Sequence, residues 1–186
     1  GLNLSQEILD AQSVRAKLPN ALPPLLETQV VDAADSIAYD THDADDAIEL
    51  GFVKLDELLE LPLVAKAAAN VDSQHGKLDP LLLRRAILHE LIELQVAGLV
   101  TQTSARLQTL ENPSVDRIKR VSSDGNRIVS HDLTIQQGKE ELESFLFQRV
   151  YRSDQVMKVR RQSQHTMRDL FFWYCENPNA LPSGYF

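Results

Sequence analysis

Cysteine is almost absent from this sequence: Cys175 is the single one in 186 residues. An internal disulfide is therefore impossible, and so is a cysteine-based zinc site. That usage fits a reducing compartment, and the chain is expected in the cytoplasm. Long apolar runs are also lacking; the longest fall far short of the ~20 residues a membrane span needs, and no signal peptide is visible. Seven glycines and eight prolines are too few for a linker-rich or disordered chain. Aromatic residues make up 6%, so aliphatic side chains must fill the core. Basic residues are outnumbered 19 to 27, for a formal net charge of −8. Strong nucleic-acid binding is not expected, because phosphate contacts need a basic surface. A phosphorylated small molecule can still bind where a few Lys or Arg converge, or where a metal supplies the positive charge.

What is present is an ordinary globular composition, 43% hydrophobic and 25% charged, with enough length for one full-sized core. Helical periodicity dominates and no stretch alternates over strand length, so the fold class is all-α. Ser5 opens a short helix through Ile8 and Leu9. Residues 18–24, with three prolines, form a loop. A long helix is predicted from Leu25 to Glu49, with Gly51 as its stop. Lys54 to Ala69 gives one or two short helices broken at Pro62, followed by a loop over Val71–Lys77. Asp79-Pro80 is an N-cap with proline at the first helical position, opening a helix through Leu110 that spans ~45 Å. Its apolar positions include Leu83, Ile87, Leu91, Leu94, Ala97 and Val100. Residues 111–132 read as a polar connection, with an Asp124-Gly125-Asn126 turn. Two more helices follow, Leu133–Tyr151 and Val156–Glu176. Neither a repeat nor a second domain is visible, so residues 1–186 read as a single helical region. The opening Gly1-Leu2-Asn3-Leu4-Ser5, without Met, reads as the middle of something longer.

The informative segment runs from Glu27 to Asp46. On a helix, Val30, Ala34, Ile37, Ala38 and Thr41 fall on one broad side, small enough to sit against neighbouring helices. Asp35, Tyr39 and Asp43 follow at i, i+4 and i+8, one stripe with ~6 Å of rise between neighbours. Seven acids lie between Asp32 and Glu49 with no Lys or Arg among them. Spacing alone fits a solvated acidic face. An EF-hand loop starting at Asp43 is excluded, for it lacks glycine at the sixth position and glutamate at the twelfth.

The literal residue order adds more. Leu26-Glu27, Gln29-Val30-Val31-Asp32-Ala33-Ala34-Asp35-Ser36-Ile37-Ala38-Tyr39 and Asp43-Ala44-Asp45-Asp46 closely resemble the bacterial dGTPase and dGTPase-like enzymes of the HD phosphohydrolase superfamily. Gly1-Leu2-Asn3-Leu4 looks like a segment a little upstream in that family. Phe145-Leu146, Val150-Tyr151-Arg152, Leu170-Phe171, Pro178 and Leu181-Pro182 match its closing helices. The resemblance spans nearly the whole chain and implies the C-terminal half of the HD architecture. It implies that Asp35 is the last ligand of a His, His-Asp, Asp metal site, that Tyr39 lies beside the nucleotide's sugar, and that Asp43 accepts a hydrogen bond from the 3′-hydroxyl. The implied reaction takes the whole triphosphate from a deoxynucleoside triphosphate, with Mg²⁺ or Mn²⁺ as cofactor; carboxylate oxygen suits both ions. Homo-oligomers are the family habit. An exposed small-residue cleft around Ala33, Ala34 and Ala38 would recruit a partner as well.

The first three metal ligands have no match in this chain, so the upstream half is expected to carry them and no catalytic residue is assigned here. His42-Asp43 follows the ligand position instead of preceding it, and His131-Asp132 sits in the polar connection, where a helix cap and surface residues are expected. His75, His89 and His165 stand alone and read as surface or boundary residues. Cys175, beside Trp173 and Tyr174, reads as core packing. Tyr151-Arg152 matches a family segment near the triphosphate, where an arginine suits a phosphate oxygen; a basic residue at a helix C-terminus explains it equally. The family usually has lysine where this chain has Glu143, and an acid there would repel a triphosphate. Two classes of function therefore stand: part of a deoxynucleotide hydrolase, or a non-catalytic helical oligomerisation or regulatory module.

Overall fold

A computed structural model describes residues 3–15, 23–123, 127–181 and 184. The chain is all-α, with no strand among the described residues. It divides into two compact units, one ending at Glu143 and one beginning at Ser144. The first carries α1 (Gln6–Arg15), α2 (Leu26–Glu49), α3 (Leu55–Leu58), α4 (Pro62–His75), α5 (Pro80–Gln108), α6 (Val115–Ser123) and most of α7 (Leu133–Leu146). The turn expected at Asp124-Gly125-Asn126 and most of the 18–24 loop lie outside the described residues.

The organising element of the first unit is α5, which packs on both α2 and α4. It begins as its sequence predicts: the Asp79 carboxylate accepts from the backbone N–H groups of Leu81 and Leu82 at 3.1 and 3.2 Å, satisfying donors that a helix start leaves free. Its buried line differs from the expected one. Ile87, Leu88, Leu91, Gln95 and Leu99 face inward, whereas Ala97 is exposed and Val100 is 58% exposed. A strict four-residue step drifts by about 40° each time, so the buried line winds slowly round α5, and it places a polar residue in the core. Gln95 offsets part of the cost by donating to the Leu91 carbonyl at 3.1 Å.

Two expectations for the connections fail. Residues 71–75 continue α4 instead of forming a loop, because Val71 joins Leu63, Val64 and Ala67 on a buried face. The helix ends at Gly76, whose φ of +64° suits glycine. The polar connection 111–132 contains α6, whose Val115, Ile118 and Val121 recur every three residues and whose two later members are part-buried.

Gln29 joins these connections to the core. Its side chain is fully buried. Its amide nitrogen donates to the Pro24 carbonyl and the Ser122 hydroxyl, at 3.2 and 3.0 Å. Its oxygen accepts from the backbone N–H groups of Ile128 and Val129, at 2.9 and 3.3 Å. One side chain thus ties the start of α2 to α6 and to the segment leading into α7.

At Gly138 helix α7 meets α4 with no room to spare. A Cβ there would lie 2.8 Å from the Cβ of Leu63, and both residues are buried. Gly138→Ala should therefore cost about 1–3 kcal/mol through overpacking, despite alanine's better helix propensity. Urea unfolding checks this; an unchanged or raised midpoint would contradict it.

The second unit continues α7 into a π-helical turn, Phe147–Tyr151, and then α8 (Asp154–Glu176). The Ser153 hydroxyl caps α8, accepting from the Val156 N–H at 3.3 Å. Within this unit α8 packs on the π turn and on the short Pro178–Ala180 turn, and among the described residues most of α8 is exposed. Cys175 is accordingly exposed and Trp173 is half exposed, which corrects the expectation of core packing there. No helix among the described residues is long and apolar enough to cross a membrane.

Candidate functional site

Helix α2 runs unbroken from Leu26 to Glu49 and carries Asp35, Tyr39 and Asp43. Helical geometry sets these side chains about 40° apart around the axis, in that order. Exposure follows the same order: Asp35 is exposed, the Tyr39 ring is 58% exposed, and Asp43 is part-buried. Asp40, about 60° beyond Asp43, is buried. The stripe therefore lies along the rim of α2, with one edge turning into the protein. Burial, together with the neighbouring Asp46, holds the Asp43 carboxyl above its ordinary value.

The inward face of α2 is made by Gln29, Ile37, Asp40, Thr41, Ala44 and Ala47. Ile37 packs with Leu99 and Val129, and Leu26, Ala33 and Ile92 border them. The Thr41 hydroxyl donates to the Ile37 carbonyl at 3.0 Å. Of the side expected against neighbouring helices, Ile37 and Thr41 are buried; Val30 and Ala34 are exposed. Around the axis Val30 falls between Ile37 and Thr41, and Ala34 about 20° beyond Thr41, so helix phase does not account for their exposure near the start of α2.

Cations for the acids of α2 come from elsewhere in the first unit. Arg84 of α5 donates through Nε to Asp45 at 2.6 Å and reaches Glu49 at 3.1 Å. Arg127 lies 3.7 Å from Asp32. Lys139 of α7 places Nζ 2.5 Å from Asp40 and also contacts Glu143. The acidic run is thus not simply a solvated face. Sequence reasoning singles out neither Asp40 nor Lys139, because nothing local in α2 or α7 marks them.

Glu143 changes meaning accordingly. It is a counter-ion to Lys139 on the same helix, so its charge is opposed by an adjacent cation. Asp132 caps α7 as expected, accepting from the N–H groups of Thr134 and Ile135 at 2.8 and 2.9 Å. His131 is not the surface residue expected: it is buried at the approach to α7, beside the core segment Ile128–Val129. Burial, and then the nearby Lys139, hold its imidazole below the ordinary 6.5. The sign of the consequence is fixed. The unfolded chain protonates His131 first as pH falls, so this residue withdraws stability below about 6.5, down to its depressed folded value. His131→Gln should flatten that acid-side decline in a pH series of unfolding midpoints. An unaltered slope between pH 6.5 and 5.5 would contradict the assignment. Asp40 and Asp43, both raised mainly by burial, act in the opposite sense at lower pH.

His42, His75, His89 and His165 are exposed. Tyr151 and Arg152 belong to the second unit and are described within it. Tyr151 ends the π turn and is part-buried. The Arg152 backbone N–H donates to the Phe147 carbonyl at 3.0 Å, and its guanidinium lies over the Phe147 ring at 5.0 Å. Arg149 lies over Phe145 at 5.7 Å.

The donor set for a metal is partial. Among the described residues no group of three or more His, Cys, Asp or Glu could hold a metal ion. Asp35 offers a hard carboxylate oxygen on an exposed turn, which suits one ligand position of an oxygen-loving cation and no more.

Residues 128–186 match the family described as Phosphohydrolase-associated domain. Over most of its length the chain is similar to proteins named "Deoxyguanosinetriphosphate triphosphohydrolase-like protein". That of Nitrobacter hamburgensis is 34% identical over 158 residues, covering 85% of this chain and 38% of the relative. That of a Bradyrhizobium species is 31% identical over 160 residues, covering 86% and 40%. That of Geobacter sulfurreducens is 28% identical over 197 residues, covering the whole chain and 50% of the relative. The resemblance read from the Asp35 segment is borne out, and the chain spans about half the length, or less, of the relatives it matches.

Proposed function

We propose that this chain, as a relative of the triphosphohydrolase-like proteins, is the C-terminal part of a metal-dependent hydrolase that converts a deoxynucleoside triphosphate into deoxynucleoside and triphosphate. The observation that carries the reading is the stripe on α2: a carboxylate, an exposed phenol ring and a part-buried carboxylate, in register on one unbroken helix. Asp35 serves as one metal ligand, with a His and a His-Asp pair supplied by a preceding half. A bound Mg²⁺ or Mn²⁺ would polarise a phosphate oxygen and lower the pKa of water. Tyr39 packs on the deoxyribose, leaving no space for a 2′-hydroxyl, and Asp43 accepts from the 3′-hydroxyl. Tyr151 and Arg152 are proposed on the triphosphate, where a guanidinium can bind phosphate oxygens bidentately. The protein is proposed to work in the cytoplasm as a homo-oligomer, with its substrate as the small-molecule partner.

The exposed Val30, Val31 and Ala34 near the start of α2, on the side away from Asp43, support the view that a further segment or copy covers that side. Residues 1–186 alone should release no triphosphate with either metal, because one carboxylate does not hold a catalytic cation. Light scattering on the same chain should give a mass above that of the monomer. Robust turnover by these residues would refute the proposed division of the site. A monomer at high concentration would refute the proposed assembly.

The non-catalytic alternative draws on a single observation, the partial metal donor set. It differs in one outcome: the longer protein, with its own upstream residues, would also lack activity.

A further inference from the structure

Lys139 is buried between two helices, with 7% of its side chain exposed, and its Nζ sits 2.5 Å from the Asp40 carboxylate, whose side chain is also 7% exposed. Glu143, one turn further along α7 and 45% exposed, contacts the same ammonium from the solvent side. Burial on its own pushes the lysine towards neutrality and the aspartate towards its acid. The two carboxylates outweigh this for Lys139 and keep its pKa above the ordinary value. Asp43 also acts on Asp40, raising it. The groups facing Asp40 are thus Lys139 and Glu143 from α7, and Asp43 from its own helix.

The position of Asp40 on α2 gives this pair a consequence. Asp40 follows Tyr39 directly and precedes Asp43 by three residues, so it lies just inside the edge of the stripe. A partner for the buried carboxylate adds to what holds α2 in rotation, beside the packing of Ile37 and the hydrogen bonds of Gln29. Without that partner, the cheapest responses are to protonate the group or to turn it towards water. Turning α2 outward at Asp40 moves Tyr39 and Asp43 through the same angle, since all three share one rigid backbone.

We infer that Lys139 is a positioning residue: held between Asp40 and Glu143, it fixes the rotation of α2 and so sets the direction in which Tyr39 and Asp43 are presented. Its functional meaning rests on the proposed reading of Tyr39 and Asp43 as sugar contacts; the rotation itself does not. The lysine expected at position 143 and missing there has a counterpart one turn earlier, where it reaches inward instead of towards a ligand. Glu143 serves as its outer counter-ion, so Asp40 is the contact that matters.

The test uses the 186-residue chain labelled with 3-fluorotyrosine. Four tyrosines are present, and Tyr39→Phe identifies the ¹⁹F resonance of Tyr39. Lys139→Met should shift that resonance well beyond its linewidth and change its broadening by a soluble gadolinium chelate. Lys139→Arg, which keeps the cation, should leave it in place. So should Glu143→Gln, because the Asp40 contact survives. The double variant Asp40→Asn with Lys139→Met has no charge left to bury, and should return Tyr39 to its original resonance. A Tyr39 resonance unmoved in Lys139→Met, with only the unfolding midpoint lowered, would reduce the pair to packing and overturn the inference. A double variant as shifted as Lys139→Met would overturn it too. If Lys139→Met does not fold, the arginine and double variants decide, since the inference requires both to keep Tyr39 in place. In the longer protein, a Lys139→Met that moves Tyr39 yet leaves KM for a deoxynucleotide unchanged would uphold the positioning and remove the sugar reading instead.

Discussion

Replacing Gln29 with leucine should lower the unfolding free energy by about 2–5 kcal/mol, although leucine is apolar and close in volume. The loss comes from what the substitution leaves behind. Gln29 Oε1 accepts from the N–H groups of Ile128 and Val129, and both residues are buried. With leucine in place those donors face no acceptor, and a buried orphan donor costs about 1–3 kcal/mol. The Pro24 carbonyl and the Ser122 hydroxyl lose a donor as well. Apolar burial by leucine offsets part of this but restores none of the four contacts. Urea denaturation at an unchanged m-value is the measurement. Gln29→Glu is the informative companion, because it keeps the acceptor for Ile128 and Val129 while burying a charge. A loss below about 1 kcal/mol for Gln29→Leu would mean that the 128–129 segment finds other acceptors, and that the tie from α2 to α6 is dispensable.

Much of α2 was legible because its meaning is local. Asp35, Tyr39 and Asp43 are related by helical spacing alone, and the long helix that carries them needs no tertiary information. The start of α5 was legible for the same reason, since Asp79-Pro80 encodes a cap chemically. What escaped was non-local. Asp40 and Lys139 are 99 residues apart in sequence, and neither looks unusual among the acids of α2 or the charges of α7. Gln29 was visible only as one letter in a motif; its four hydrogen bonds depend on loops whose approach periodicity does not describe. Position 71 was assigned to a loop because polar residues and Gly76 follow it, although Val71 completes a buried face with Ala67. Helix α6 is hidden in the sequence because polar residues and the Asp124-Gly125-Asn126 turn dominate the local composition. Cys175 misled in the opposite direction: an aromatic neighbourhood usually means core, but in so small a unit α8 has little to pack against.

The second large effect concerns chemistry alone. Asp35 is exposed on α2, where substitutions usually change stability by less than about 0.5 kcal/mol, and Asp35→Ala should stay within that range. If its carboxylate is a metal ligand, the same change should lower turnover in the longer protein by at least about a thousandfold, roughly 4 kcal/mol at the barrier. Tyr39→Ala and Asp43→Asn should instead act mainly through sugar binding, raising KM more than they lower kcat. The contrast between an unchanged fold and an abolished reaction separates a ligand from a structural residue. The direct measurement is product analysis of the longer protein, incubated with a deoxynucleoside triphosphate and Mn²⁺ or Mg²⁺, beside its Asp35→Ala variant. The account requires intact triphosphate and free deoxynucleoside from the first, and neither from the second at equal unfolding midpoint. Triphosphate released at an undiminished rate by Asp35→Ala would contradict it.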